Sequence, residues 1–134
     1  MKFAEHFSGN GKRILIVEDD ENVLEFTRRA LRTCGYDVVG MGNARDTLSL
    51  FEREGFQFDI VFSDVELPDQ SGIVLAQLLS KMNPNIKVVL TSGHSSGKYT
   101  WANFEKKGYR FLEKPYPLTE LLRIIRETAG CVAS

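Results

Sequence analysis

Histidine and cysteine are scarce in this sequence, with two of each among 134 residues. His6 and His94 are too far apart to suggest a zinc site. Cys34 and Cys131 match no metal or redox spacing and read as reduced thiols of a cytoplasmic protein. Charge of one sign is also missing: the formal net charge is −1, which gives no electrostatic reason to expect nucleic acid or an anionic membrane surface as a partner. No apolar run is long enough to span a bilayer, and the start lacks the apolar stretch of a signal peptide. Internal repeats and low-complexity segments are absent as well. What is present is an ordinary globular balance, 43% hydrophobic and 26% charged, enough for the core of one domain.

Residues 1–12 carry no period and end in Ser8-Gly9-Asn10-Gly11, which reads as a flexible leader or linker remnant. Arg13-Ile14-Leu15-Ile16-Val17 is then a short apolar run closed by Glu18-Asp19-Asp20-Glu21. Such a run suits a strand covered on both faces, as in a parallel sheet. Over 22–34 the period becomes helical: Val23 and Ala30, Leu24 and Leu31, and Thr27 and Cys34 fall on one stripe, with Gly35 placed to end the helix. The cycle repeats. A strand is expected over 36–41, then a helix over 44–54 capped by Asn43, with Ala44, Leu48 and Phe51 inward. A strand over 59–63 is closed by Asp64. Ser71-Gly72 opens a helix with Leu75, Leu78, Leu79 and Met82 on one face. A strand over 86–91, a weakly patterned helix over 99–107, a strand over 110–113 and a helix begun by Pro117 complete the alternation. In that last helix Leu118, Leu121, Leu122 and Ile125 face inward. Strands alternating with helices imply βαβ units, right-handed crossovers and a five-unit doubly wound α/β sheet.

Ligands of such sheets bind beyond the carboxyl ends of the strands. Those ends carry Glu18-Asp19-Asp20, Asp64, Ser92 and Lys114. Each has an ordinary reading: acids before a helix cap it and suit its dipole, and a lone lysine is usually solvated. Four strand ends delivering such residues to one rim make coincidence a poor explanation. Converging carboxylates need a compensating cation, and oxygen donors of this kind suit a hard ion such as Mg²⁺. Asp64, so held, is a competent nucleophile for phosphorus, since phosphoryl transfer depends mainly on positioning and charge neutralisation.

Residues 13–128 resemble the receiver domain of two-component response regulators. The resemblance rests on Ile14-Leu15-Ile16-Val17-Glu18-Asp19-Asp20, the spaced set Asp64, Pro68 and Gly72, Leu90-Thr91-Ser92-Gly93, and Phe111-Leu112-Glu113-Lys114-Pro115. It implies a flavodoxin-like (βα)5 fold with strand order 2-1-3-4-5, followed by a tail over 129–134. It implies that Asp64 takes a phosphoryl group from a phosphohistidine on a sensor histidine kinase or a histidine phosphotransfer protein. Glu18, Asp19, Asp64 and the Glu66 backbone carbonyl would hold Mg²⁺, directly or through water. Ser92 and Lys114 would contact the phosphoryl group, Phe111 would follow the Ser92 movement, and Lys114–Pro115 would be a cis peptide. The output face would be the fourth helix, fifth strand and fifth helix; Tyr99, Trp101 and Phe104 lie in or beside that fourth helix, and Trp101 or Tyr99 would meet a downstream protein or a second copy. The chain is then a signalling switch rather than an enzyme, although it would catalyse its own phosphorylation and slow autodephosphorylation. Departures from the common pattern are Glu18 in place of Asp, Ser92 in place of Thr, and Lys107-Gly108 in place of a Gly-Ala pair.

Three other readings fare worse. A haloacid-dehalogenase-like phosphatase would carry its nucleophile after the first strand, the reverse of the order here, and would need room for a cap. A flavin or dinucleotide binder would need a Gly-rich turn after strand one, which is missing. A receiver-like module that is not phosphorylated would have lost a residue of the acidic pocket, and none is lost. No output domain is expected within the 134 residues. A stand-alone receiver and a segment of a hybrid histidine kinase both fit, the Ser8–Gly11 leader and the Leu90-Thr91-Ser92-Gly93-His94 segment resembling hybrid-kinase receivers somewhat more.

Overall fold

In the computed structural model, residues 11–93, 105 and 107–130 are described. Most of the expected helix over 99–107, with Tyr99, Trp101 and Phe104, lies outside them, as do His6, His94, Cys131 and the first ten residues. The elements are β1 (Arg13–Val17), α1 (Glu21–Thr33), β2 (Asp37–Met41), α2 (Ala44–Glu54), a 3₁₀ turn (Gly55–Gln57), β3 (Ile60–Asp64), α3 (Gly72–Met82), β4 (Lys87–Ser92), β5 (Arg110–Glu113) and α4 (Leu118–Ala129). All four strand pairings are parallel and the order is β2-β1-β3-β4-β5. The fold is flavodoxin-like, as expected.

Alternation within the strands divides the core into two layers. Ile14, Ile16, Phe62 and Val89 face α1 and α4, where they meet Leu31, Leu121 and Ile125. Leu15, Val17, Val61 and Leu90 face α2 and α3, against Phe51, Leu75 and Leu79. Phe51 and Phe58 stack at 6.0 Å between centroids, nearly parallel. Each such side chain, taken fully out of water, contributes roughly 1.5–3 kcal/mol. The edge of the sheet opposite the acidic rim is closed by Arg13. Its guanidinium pairs with Asp37 and Glu54, donates to Gln57 and lies 4.5 Å over the Phe58 ring.

Two inward assignments fail. Val23 on α1 is 36% exposed, while Thr27, Leu31 and Cys34 carry the contact. Leu78 on α3 is 37% exposed: the buried arc is set by Gly72, Leu75, Ala76 and Leu79, and Leu78 stands about 100° from Leu79. Thr47 and Leu50 of α2 and Ile124 of α4 are buried although the pattern did not mark them. Strands β2, β3 and β4 each start one residue later than expected, and β3 and β4 run one further, to Asp64 and Ser92. The last helix continues through Ala129 to Gly130, which caps it in the left-handed conformation at φ 74°.

Helix caps tie the loops to the frame. Asn43 accepts from the Asp46 N–H, as its position suggested. A second acid, Asp69 from the loop after β3, accepts from the Ala44 and Arg45 N–H groups at 2.9 Å each. Those two bonds hold the Asp69 carboxyl below its ordinary value. A depressed carboxyl stabilises the fold above the unfolded value of about 3.9, and the contribution is lost as pH falls through the lower folded value. Asp69→Ala should therefore lower the thermal midpoint at pH 7. The gap from the unaltered chain should close progressively below about pH 4, as followed by circular dichroism.

Candidate functional site

Sheet pairing continues one residue past β1 and β5. The Glu18 N–H donates to the Met41 carbonyl at 2.9 Å, and the Lys114 N–H donates to the Ser92 carbonyl at 3.0 Å. Both side chains are thereby delivered to the rim by backbone already in register. Asp64 ends β3 opposite Thr91, and Ser92 ends β4 opposite Glu113. Asp64, Glu18 and Ser92 are buried, and Asp19 is exposed.

The carboxylates of Glu18, Asp19 and Asp64 offer oxygens within 4.8 Å of one another. At that spacing a pair repels by roughly 3–4 kcal/mol for an effective dielectric of about 20. Lys114 answers the charge: its Nζ donates to Asp64 Oδ2 at 2.9 Å and to Glu18 Oε1 at 3.3 Å. The remaining Glu18 oxygen accepts from the Asp20 N–H at 3.0 Å. Burial pushes the Glu18 carboxyl above its ordinary value, helped by the Asp64 charge and opposed by that N–H and by Lys114. Burial acts to lower Lys114, but the hydrogen bond and charge of Asp64, with Glu18, overcome it and leave the ammonium above its ordinary value. Among the described residues the cluster therefore has a shortage of positive charge, and its all-oxygen donor set fits a hard divalent cation such as Mg²⁺.

Asp64 Oδ1 accepts from the Glu66 N–H at 3.1 Å, so both carboxylate oxygens are held. The Glu66 carboxylate accepts from the Ser92 hydroxyl at 3.0 Å, a contact the sequence reading missed because it joins residues 26 positions apart. Asp20, the third acid of the run, turns away: its side chain caps α1 by accepting from the Asn22 and Val23 N–H groups. The Lys114–Pro115 peptide is cis. Phe111 is half-buried in β5 beside Leu90 and packs on the α2–α3 side of the core.

The sequence model of the response regulator receiver domain matches residues 14–126. The chain belongs to that family, whose members work in two-component signalling. It is 33% identical over 114 residues to the two-component response regulator ARR12 of Arabidopsis thaliana, covering 85% of this chain and 19% of that protein. It is 32% identical over 114 residues to the sensor kinase CckA of Brucella abortus (strain 2308), covering 85% of this chain and 12% of that protein. The chain thus spans a fifth or less of the length of these two relatives. A receiver domain protein from Clostridium thermocellum superposes with a TM-score of 0.81 at 21% identity, over 89% of this chain and 94% of that one, which supports the fold.

Gly72 sets the tightest steric requirement of the site. Its N–H donates to the Val65 carbonyl at 2.7 Å, and a Cβ built on it would lie 1.9 Å from the Asp64 carbonyl oxygen. Any side chain there must displace α3 from the backbone that presents Asp64. Gly72→Ala should lower stability by about 2–3 kcal/mol or more. Denaturant unfolding measures the loss, and amide shifts of 63–66 should report the displacement.

Proposed function

We propose that Asp64 accepts a phosphoryl group from a phosphohistidine on a sensor histidine kinase or a histidine phosphotransfer protein, and that this switches a protein-interaction surface. The observation that carries the reading is the Asp64 carboxylate, held at the end of the central strand by Lys114 and the Glu66 N–H within an acidic cluster. In the transfer, the P–N bond to the donor imidazole breaks as a P–O bond to an Asp64 carboxylate oxygen forms. The imidazole departs with the bonding pair and takes up a proton. Lys114 follows the charge onto the phosphoryl oxygens, and the Ser92 hydroxyl donates to them. Glu18, Asp19, Asp64 and the Glu66 backbone carbonyl would hold Mg²⁺, which when bound neutralises charge at the transferring group.

The domain, 13–128, acts on itself: it accelerates its own phosphorylation and slow dephosphorylation, and is a signalling switch rather than an enzyme turning over a separate substrate. Movement of Ser92 and Phe111 biases an equilibrium between two surface states. The face that changes includes β5 and α4, and it meets a downstream protein or a second copy. Nucleic acid is not a partner, in keeping with the net charge of −1. No described helix is long and apolar enough to cross a membrane, and we place the domain in the cytoplasm, without membrane insertion.

With Mg²⁺ and a small phosphodonor, the chain should gain one hydroxylamine-labile phosphoryl group by mass spectrometry, and Asp64→Asn should gain none. Undiminished labelling of the Asn variant overturns the assignment. In a Mg²⁺ titration Asp19→Ala should weaken affinity by about tenfold or more, with Glu18→Ala intermediate. Asp20→Ala should leave affinity nearly intact and cost instead about 0.5–2 kcal/mol of stability through its lost cap.

A further inference from the structure

Glu66 is engaged twice in the site, by different parts of the residue. Its backbone N–H holds Asp64 Oδ1 at 3.1 Å, while its carboxylate accepts the Ser92 hydroxyl at 3.0 Å. The loop that carries it is fixed on both sides: the Val65 N–H donates to the Thr91 carbonyl at 2.9 Å, the Gly72 N–H to the Val65 carbonyl, and Glu66 bridges Ser71. Glu66 is an exposed residue, and its bond to Ser92 is partly buried. The backbone is therefore pinned, and the carboxylate can swing into solvent without disturbing it.

A serine hydroxyl has one proton to donate. While Ser92 donates it to Glu66, it cannot donate it to a phosphoryl group on Asp64. We propose that the Glu66 carboxylate is a resting-state latch, which holds the Ser92 hydroxyl and must release it for the phosphorylated state to form. This rests on the reading of Asp64 as the phosphoacceptor. A phosphoryl group brings a charge of about −1.5 to −2 into a rim that already holds Glu18, Asp19 and Glu66 against one lysine. Glu18 and Asp64 are buried and tied to Lys114, whereas Glu66, like Asp19, is exposed, and it is Glu66 that holds the Ser92 hydroxyl. Its departure frees the Ser92 proton in the same movement. The latch thus sets a threshold: it opposes phosphorylation, and by reclosing on Ser92 it favours the return to the resting state.

The test is a double-mutant cycle read by beryllofluoride, a phosphoryl mimic, titrated at fixed Mg²⁺ into the full chain. Glu66→Ala should tighten beryllofluoride binding by about five- to tenfold, the range of a charge-assisted hydrogen bond partly screened by solvent. In the Ser92→Ala chain the same Glu66→Ala change should tighten it by less than about twofold. An equal gain in both backgrounds overturns the latch, because it assigns the effect to charge repulsion alone. No gain in the Ser92-bearing chain overturns it too. If the unaltered chain does not bind beryllofluoride, or Asp64→Asn binds it as well, the acceptor reading falls and the latch with it. Asp64-dependent binding with a flat cycle removes the latch alone.

Discussion

A single ammonium, Lys114 Nζ, stands between two buried carboxylates, 2.9 Å from Asp64 and 3.3 Å from Glu18. Much else in the structure exists to make that contact possible. A parallel sheet sends every strand in one direction, so the residue following each strand arrives at the same edge. Acids placed there must share space, and among the described residues Lys114, one backbone N–H on Glu18 and one on Asp64 answer their charge. The arrangement remains short of positive charge. That shortage suits the rim to a divalent cation.

Precision at Asp64 comes from backbone, not from side-chain packing. The strand that carries it is paired on both sides, to β1 and β4. The chain beyond it is held by Val65 to β4, and Gly72 brings α3 so close that only hydrogen fits at its Cα. Around this rigid frame the side chains differ in freedom. Glu18 and Asp64 are locked into the charge network, whereas Glu66 and Asp19 face solvent. A switch needs both kinds, because a group that is to move must be anchored to one that does not.

The caps serve the same end. Asp20 lies next to Glu18 and Asp19 in sequence yet closes the first turn of α1, and Asp69 crosses from the β3 loop to close α2. Acids thus surround the rim in two roles. Those aimed inward raise local negative charge, and those on helix N-termini discharge theirs onto backbone N–H groups.

The strand runs, the helical periods and the rim residues Glu18, Asp19, Asp64, Ser92 and Lys114 were all legible in the sequence. They depend on local patterning and on a direction that every parallel strand shares. The strand order was implied by the resemblance to receiver domains rather than by the alternation, and it is the order observed. Periodicity was less reliable for faces. It placed Val23 and Leu78 inward, whereas a helix buries only the arc that its neighbours cover, and in α3 that arc is centred on Gly72, Leu75, Ala76 and Leu79. Tertiary structure alone decided that Asp69 caps a helix about 25 residues away, that Gly72 abuts the Asp64 carbonyl, and that Glu66 holds the Ser92 hydroxyl. Each is a contact between residues distant in the chain, set by how strands and loops dock, and no local period encodes such a distance.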